Sequence, residues 1–243
     1  MFSQTRVLLL QLSILATTLL PGCASLPATI ERDPRDHLER YNRAVFGFNQ
    51  ALDRTVGRPI ALGYTKITPR PIRVGLSNFL DNASYPVVVV NDFLQIKPAL
   101  FARDTARFVV NTTIGIGGLF DPATKWGLEA NDEDLGQTFG SYGVPPGTYL
   151  MLPVLGPTTI RDALGDVGDF FVEPRTYLSD SAVSWSLIGL DLVDTRAGLL
   201  DTDALLNEAF DPYAFVRNAY LQRREYLVHD GNVIDDEPME EFE

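Results

Sequence analysis

Histidine, lysine and cysteine are nearly missing from this chain. Its 243 residues hold two histidines, three lysines and one cysteine. A single cysteine excludes an internal disulfide and any cysteine-based metal site. His37 and His229 lie far apart, and the H-E-x-x-H spacing that sets two imidazoles on one helix face for zinc does not occur. No G-x-S-x-G is present either, since Gly140-Ser141-Tyr142-Gly143 has the wrong spacing for a nucleophile turn. Gly115-Ile116-Gly117-Gly118 lacks the lysine and the spacing of a phosphate loop. The acidic spots Asp132-Glu133-Asp134 and Asp201-Thr202-Asp203 lack the glycine and glutamate of an EF-hand. These absences point to no enzyme, no metal and no cofactor.

Positive charge is also scarce relative to negative. The net charge is −12, carried against seventeen arginines with no basic block. Nucleic-acid binding therefore lacks its electrostatic driving force, and so does adhesion to anionic lipid by charge alone. What is abundant is apolar surface. The chain is 45% hydrophobic and 21% charged, which excludes a disordered protein, and its length suits one domain.

The amino terminus explains the lone cysteine. After Arg6, Val7 to Leu20 form an apolar run of fourteen residues, the size of a signal-peptide core and short for a membrane span. Leu20-Pro21-Gly22-Cys23 follows and resembles the lipobox of bacterial lipoproteins, with Pro21 as a departure from the usual pattern. Cleavage would remove residues 1–22 and leave Cys23 as a lipidated first residue. Several acyl chains, at about 0.8 kcal/mol per buried CH₂, hold a protein stably on a bilayer. Ala24 after the cysteine, by resemblance to lipoproteins of Gram-negative bacteria, implies sorting to the outer membrane. Residues 23–32 then read as a lipidated tether.

The stretch from Leu135 to Ile160 is twenty-six residues long and carries no charge. Its glycines and its prolines Pro145, Pro146, Pro153 and Pro157 forbid one spanning helix, since each interior proline costs about 3 kcal/mol. It reads as short helices and turns, in the core, at a lipid boundary or on a channel wall.

Elsewhere helical signals dominate. Asp33-Pro34, Asp121-Pro122 and Asp211-Pro212 each set a capping carboxylate before a proline suited to a first helical position. Leu38, Tyr41, Val45, Phe48 and Leu52 then form an apolar stripe at helical spacing, which Gly57 and Pro59 are expected to end. Pro59, Pro69, Pro71, Pro86 and Pro98 are expected to divide the next forty residues into short segments. Pro86 to Leu94 is ambiguous, its valines favouring a strand and its Asn91-Asp92 a short buried helix. Helices are expected over Pro98 to Thr113, after a cap at Thr158, from Asp180, over Asp201 to Glu208 and over Pro212 to Val228. Asp235 to Glu243 reads as a disordered acidic tail.

Several segments in register resemble the MlaA (VacJ) family of outer-membrane phospholipid-transport lipoproteins. They include Arg40-Tyr-Asn-Arg-x-x-Phe-Gly-Phe-Asn49, Arg58-Pro59, Val74-Gly-Leu-Ser-Asn-Phe79, Asn91-Asp-Phe-Leu-Gln95 and Arg107-Phe-x-x-Asn-Thr-x-x-Gly-x-Gly-Gly-x-x-Asp121. Asp134-x-Gly-Gln-Thr-x-Gly-x-Tyr-Gly143, Gly147-x-Tyr-x-x-Leu-Pro153, Arg161-Asp162, Leu200-Asp-x-Asp203 and Asp211-Pro-Tyr213 follow, then Arg217-x-x-Tyr220-x-x-Arg223. The resemblance covers residues 33–231 and leaves out the acidic tail, residues 232–243.

That resemblance implies an all-α, single-domain, ring-like bundle of short and medium helices, partly embedded in one membrane leaflet with no full transmembrane span. It implies a non-enzymatic channel that takes misplaced phospholipid from the outer leaflet, beside a trimeric porin, and passes it to a periplasmic carrier. Phe46, Gly47, Phe48 and Asn49 fall in a stretch it places near the lipid path, so they are gate candidates. The stripe reading makes Phe48 simple core. Gly115, Gly117 and Gly118 are candidates for movement or for ordinary turn duty. Arg161 is a candidate phosphate contact or a salt-bridge partner. The alternative from another class is a structural lipoprotein that stabilises a porin or envelope assembly without moving lipid.

Overall fold

A computed structural model of the chain describes residues 33–232. The expected signal segment, Cys23 with its tether and the acidic tail from Val233 onward lie outside the described residues. In chain order the helices are α1 (Glu39–Leu52), α2 (Arg58–Ile67), α3 (Arg70–Leu94), α4 (Pro98–Thr113), α5 (Pro122–Lys125), α6 (Leu135–Ser141), α7 (Ile160–Asp169), α8 (Ser181–Gly198), α9 (Asp203–Glu208) and α10 (Pro212–Val228). A two-stranded hairpin, β1 (Tyr149–Leu152) and β2 (Gly156–Thr159), stands between α6 and α7.

Capping carboxylates set most of the starts. Asp121 accepts from the Thr124 amide, Asp180 from Ala182, and Asp211 from both Tyr213 and Ala214. Each satisfies donors that the first helical turn leaves unpaired. The cap of α7 is Thr159, one residue past the expected Thr158. Asp33 behaves differently. It accepts from Arg35, but α1 begins only at Glu39. The intervening Asp36 is pulled inward, accepting from Asn42 at 2.8 Å and from Arg217 at 3.3 Å, so turns replace the first helical residues.

Two expected breaks are absent. Gly57 and Pro59 do not end the first helix. A π-helical turn over Asp53–Gly57 carries α1 directly into α2, with Pro59 in the first turn of the new segment. A proline lacks only a donor there that the turn change already disrupts. Pro69, in extended backbone, does separate α2 from α3. Pro86, in contrast, lies inside α3, which runs unbroken for 25 residues. The local cost of about 3 kcal/mol is outweighed by tertiary contacts on both sides of it. Tyr85 donates to Asp104 at 2.8 Å, Asn82 to Thr112 at 3.0 Å, and Asn91 to Asp169 at 2.9 Å. The four valines are therefore helical.

The hairpin was not expected in an all-α reading. Pro153, Val154 and Leu155 link strands paired from Tyr149 opposite Thr159 to Leu152 opposite Gly156. Alternation over YLML puts Tyr149 and Met151 inward, where both are buried. The uncharged stretch is thus divided: the inward faces of α6 and the hairpin are buried, whereas the turn over residues 141–147 and the tip residues Val154 and Leu155 are exposed. The only described sheet is this pair, and the body is otherwise helical.

Neighbouring elements pack in a closed circuit: hairpin on α1, through the π turn to α2, then α8, α3, α6, α10 and back to the hairpin. The α6–α7 contact is close enough to demand glycine, because a Cβ on Gly165 would lie 2.3 Å from the Gly136 nitrogen. A small apolar cluster of Val45, Tyr149, Met151, Tyr213 and Leu221 sits where α1, the hairpin and α10 meet.

Buried and exposed positions are partly inverted. Among the described residues, fully buried side chains are more often polar than apolar, while Ile67, Ile96 and Leu155 are 81%, 77% and 72% exposed. An interior of paired polar groups under an apolar exterior suits contact with hydrocarbon. No described helix is long and apolar enough to cross a membrane.

Candidate functional site

Helix α1 positions the first wall. Asn42 and Asn49 are seven residues apart, so they share one face two turns apart. Asn42 donates to the Tyr149 carbonyl at 3.1 Å and accepts from the Met151 amide at 2.8 Å. Asn49 donates to the Leu152 carbonyl at 2.9 Å and accepts from the Val154 amide at 2.8 Å. Two asparagines therefore fix strand β1 to α1, and the second holds Val154 at φ 69, a conformation unfavourable for a β-branched residue.

A cavity of about 750 Å³ opens beside this joint, within the usual range for small-molecule sites. Phe46, Asn49 and Gln50 of α1, Met151, Gly156 and Pro157 of the hairpin, and Phe215 and Val216 of α10 form one side. Leu205 and Leu206 of α9, with Leu199, close the other. Its polar end gathers Asp53, Arg54, Arg58, Arg196 and Asp203. Apolar walls with charge at one end make an amphipathic space.

The charges are ordered. Arg196 grips Asp53 in a fork, Nε to Oδ1 at 2.6 Å and Nη2 to Oδ2 at 2.9 Å, and its Nη2 also reaches Asp203 at 2.9 Å. Arg58 Nε reaches the other Asp203 oxygen at 3.0 Å. The hydrogen bond that Arg196 donates to Asp53 leads in raising the Arg196 pKa, so this guanidinium stays charged. The cluster ties the π turn to the α8–α9 junction, elements more than a hundred residues apart in sequence.

The sequence candidates scatter relative to this space. Phe46 and Asn49 line it. Phe46 also meets Tyr213 edge to face at 5.7 Å. Gly47 and Phe48 share their helix but are not among the lining residues, and Phe48 is 42% exposed, so the stripe reading of it as core does not hold. Arg161 is buried and paired with Asp162 at 3.0 Å, the salt-bridge alternative. Gly115, Gly117 and Gly118 lie in the turn after α4, away from this cavity. A Cβ on Gly118 would meet Asn82 at 2.5 Å, and Gly117 and Gly118 both have positive φ, which is turn and close-approach duty. Asn82 in turn lines a second, polar cavity of about 320 Å³ between α3 and α4, with Asp81, Tyr85 and Arg107.

Arg58 and Asp203 stood inside recognised motifs without a role, and Asp53, Arg54 and Arg196 carried no signal, because their proximity is purely tertiary. No group of three or more candidate ligands capable of holding a metal occurs among the described residues.

A second charge cluster braces the body. Arg224 of α10 reaches Asp134, the cap of α6, and Asp162 of α7 at 2.9 Å each. Against the upward push of burial, these bonds hold both carboxylates below their ordinary pKa.

Comparison with known proteins agrees with this architecture. A family model described as MlaA lipoprotein matches residues 34–227. The Escherichia coli (strain K12) protein named intermembrane phospholipid transport system lipoprotein MlaA is 40% identical over 232 residues, spanning 92% of this chain and 91% of the relative. Its namesake from Haemophilus influenzae is 35% identical over 230 residues, 92% of this chain and 91% of that one. A solved structure reported as the structural basis for maintenance of bacterial outer membrane lipid asymmetry matches with a TM-score of 0.73 and 38% identity, covering 81% of this chain and 100% of its own. The chain belongs to the MlaA lipoprotein family.

Proposed function

We propose that this chain removes phospholipids misplaced in the outer leaflet of the outer membrane and passes them toward a periplasmic carrier, so that lipid asymmetry is maintained. The observation that carries the reading is the amphipathic cavity of about 750 Å³ between α1, the hairpin, α9 and α10, in a helical body that exposes many large apolar side chains. The names of the Escherichia coli and Haemophilus influenzae relatives support it.

The physics is that of a sheltered path. Apolar outer side chains sit among acyl chains of one leaflet, while helices that do not span keep their backbone polar groups satisfied internally. Phospholipid among lipopolysaccharide is out of place, so its removal runs downhill and needs neither a covalent step nor ATP here. Lipidated Cys23 would supply the anchor, with the body in the periplasmic leaflet of the outer membrane beside a trimeric porin. In this scheme Phe46 and Asn49 gate the cavity from α1, with Gly47 and Phe48 next to them. Gly115, Gly117 and Gly118 shape the neighbouring turn, and Arg161 braces α7. A purely structural lipoprotein would use the same anchor and surface, but it has no use for an amphipathic cavity.

The test is complementation of a deletion strain. Wild type restores detergent resistance and low outer-leaflet phospholipid; Leu206→Trp, which fills the cavity, is expected to be inserted normally yet fail to restore either. Full rescue by that variant would refute transport through the cavity. Mass spectrometry of the mature amino terminus tests the anchor, which an unmodified Cys23 would overturn.

A further inference from the structure

Three guanidiniums face two carboxylates at the polar end of the main cavity. Asp53 and Asp203 are both engaged, by Arg196 and Arg58. Arg54 lines the same space, and its guanidinium makes no ion pair or hydrogen bond to any described residue. Arg196 is also incompletely satisfied, since its Nη1 is enclosed without an acceptor. The cavity end therefore keeps an excess of one positive charge in a chain whose net charge is −12. A lone guanidinium on an acidic protein, at the edge of an apolar lining, is placed for one monovalent anion attached to an apolar body.

Resting on the transport reading above, we propose that Arg54 receives the phosphodiester of a glycerophospholipid, with the Arg58–Asp203–Arg196 cluster as its backing. The acyl chains would lie along Met151, Leu206 and Val216, apolar residues that line the same cavity. The charge balance sets a selectivity. A phosphodiester carries one negative charge and neutralises the excess, whereas diacylglycerol offers none. The planar fork can accept two phosphate oxygens at once, which a lysine cannot reproduce. Arg54 stands on the π turn, and single π turns recur at functional sites because they re-aim side chains that a regular helix would direct elsewhere.

The experiment titrates the purified full-length protein in detergent, by calorimetry, with dihexanoyl phosphatidylglycerol and with dihexanoylglycerol. Arg54 is exposed, so Arg54→Gln should fold as wild type, which circular dichroism checks. Loss of a hydrogen bond to a charged group predicts that Arg54→Gln binds the phospholipid about tenfold more weakly. Its affinity for dihexanoylglycerol should be unchanged, Arg54→Lys should fall in between, and excess inorganic phosphate should not displace the phospholipid. Wild-type phospholipid affinity in Arg54→Gln, with binding abolished in Leu206→Trp, overturns the Arg54 assignment and leaves the cavity reading standing. Wild-type binding in Leu206→Trp as well overturns both. Displacement by inorganic phosphate overturns the lipid assignment in favour of a free-anion site.

Discussion

Removing the Asn49 side chain should loosen one wall of the cavity without unfolding the protein. Asn49→Ala deletes two hydrogen bonds to the hairpin, at 2.9 and 2.8 Å. Each contributes about 1 kcal/mol net, so the local loss is about 2 kcal/mol. The Val154 amide lies at an exposed site, where water replaces Asn49, so no further orphan penalty is expected. Asn42→Ala is the contrast. Asn42 is fully buried and bonds Asp36, Tyr149 and Met151, so its loss strands buried groups and costs about 4 kcal/mol. In a body of this size about 4 kcal/mol lowers Tm by roughly 10 °C. Hydrogen exchange separates the two cases. In Asn49→Ala the Val154 amide should exchange about 30-fold faster, the equivalent of about 2 kcal/mol, while the Met151 amide stays protected. The unfavourable φ of Val154, worth about 1–2 kcal/mol, adds to the tendency of the tip to open once Asn49 lets go. Unchanged exchange at Val154, or a fall in Tm equal to that of Asn42→Ala, would refute the assignment of Asn49 as a local clasp.

Acidity should stabilise the α3–α4 joint. Burial first, then a hydrogen bond shared with Asp104, pushes the Asp92 pKa to about 7. The native state then holds a proton that the unfolded chain releases near pH 4, so stability falls as pH rises from about 4 to about 7, by up to about 1.4 kcal/mol per unit. Asp92→Asn should flatten that part of the pH profile of Tm, although Asp166, raised to about 6 mainly by burial, leaves a remainder in the same direction. An unaltered profile would show that Asp92 ionises freely. Gly165→Ala drives a Cβ against the Gly136 backbone and should lower urea stability by about 3 kcal/mol. Gly47→Ala meets open space inside α1 and should raise it by about 0.5–1 kcal/mol. Equal effects of the two substitutions would discard the close α6–α7 contact. Arg196→Ala frees Asp53 and leaves Asp203 to Arg58 alone, and a double-mutant cycle with Asp53→Ala should show coupling of about 1 kcal/mol for this partly exposed pair.

Local chemistry was legible wherever it is decided within a few residues. The caps at Asp121, Asp180 and Asp211 and the spans Pro98–Thr113 and Pro212–Val228 follow from neighbouring side chains meeting unpaired amides. Gly57, Pro59 and Pro86 misled because a break is only a local preference of about 1–3 kcal/mol. Partners such as Asp104 for Tyr85, or Asp169 for Asn91, come from distant segments and outweigh it. The hairpin escaped for a similar reason. YLML is too short to announce a strand, and it is Asn42 and Asn49 that hold it extended.

The sequence by itself determined the class of this protein: a helical family member, with a lone cysteine after a signal-like run and apolar segments too interrupted to span a bilayer. Tertiary structure decided where the working space lies. Phe46 and Asn49, legible as candidates, acquire a cavity only when α9, α10 and the hairpin close around them. Arg54 becomes distinctive only because Arg58 and Arg196 have already taken both aspartates. The physical reason is range. Capping and periodicity act over one helical turn, whereas an excess charge at the end of an apolar cavity is a sum over residues that the chain keeps more than a hundred positions apart.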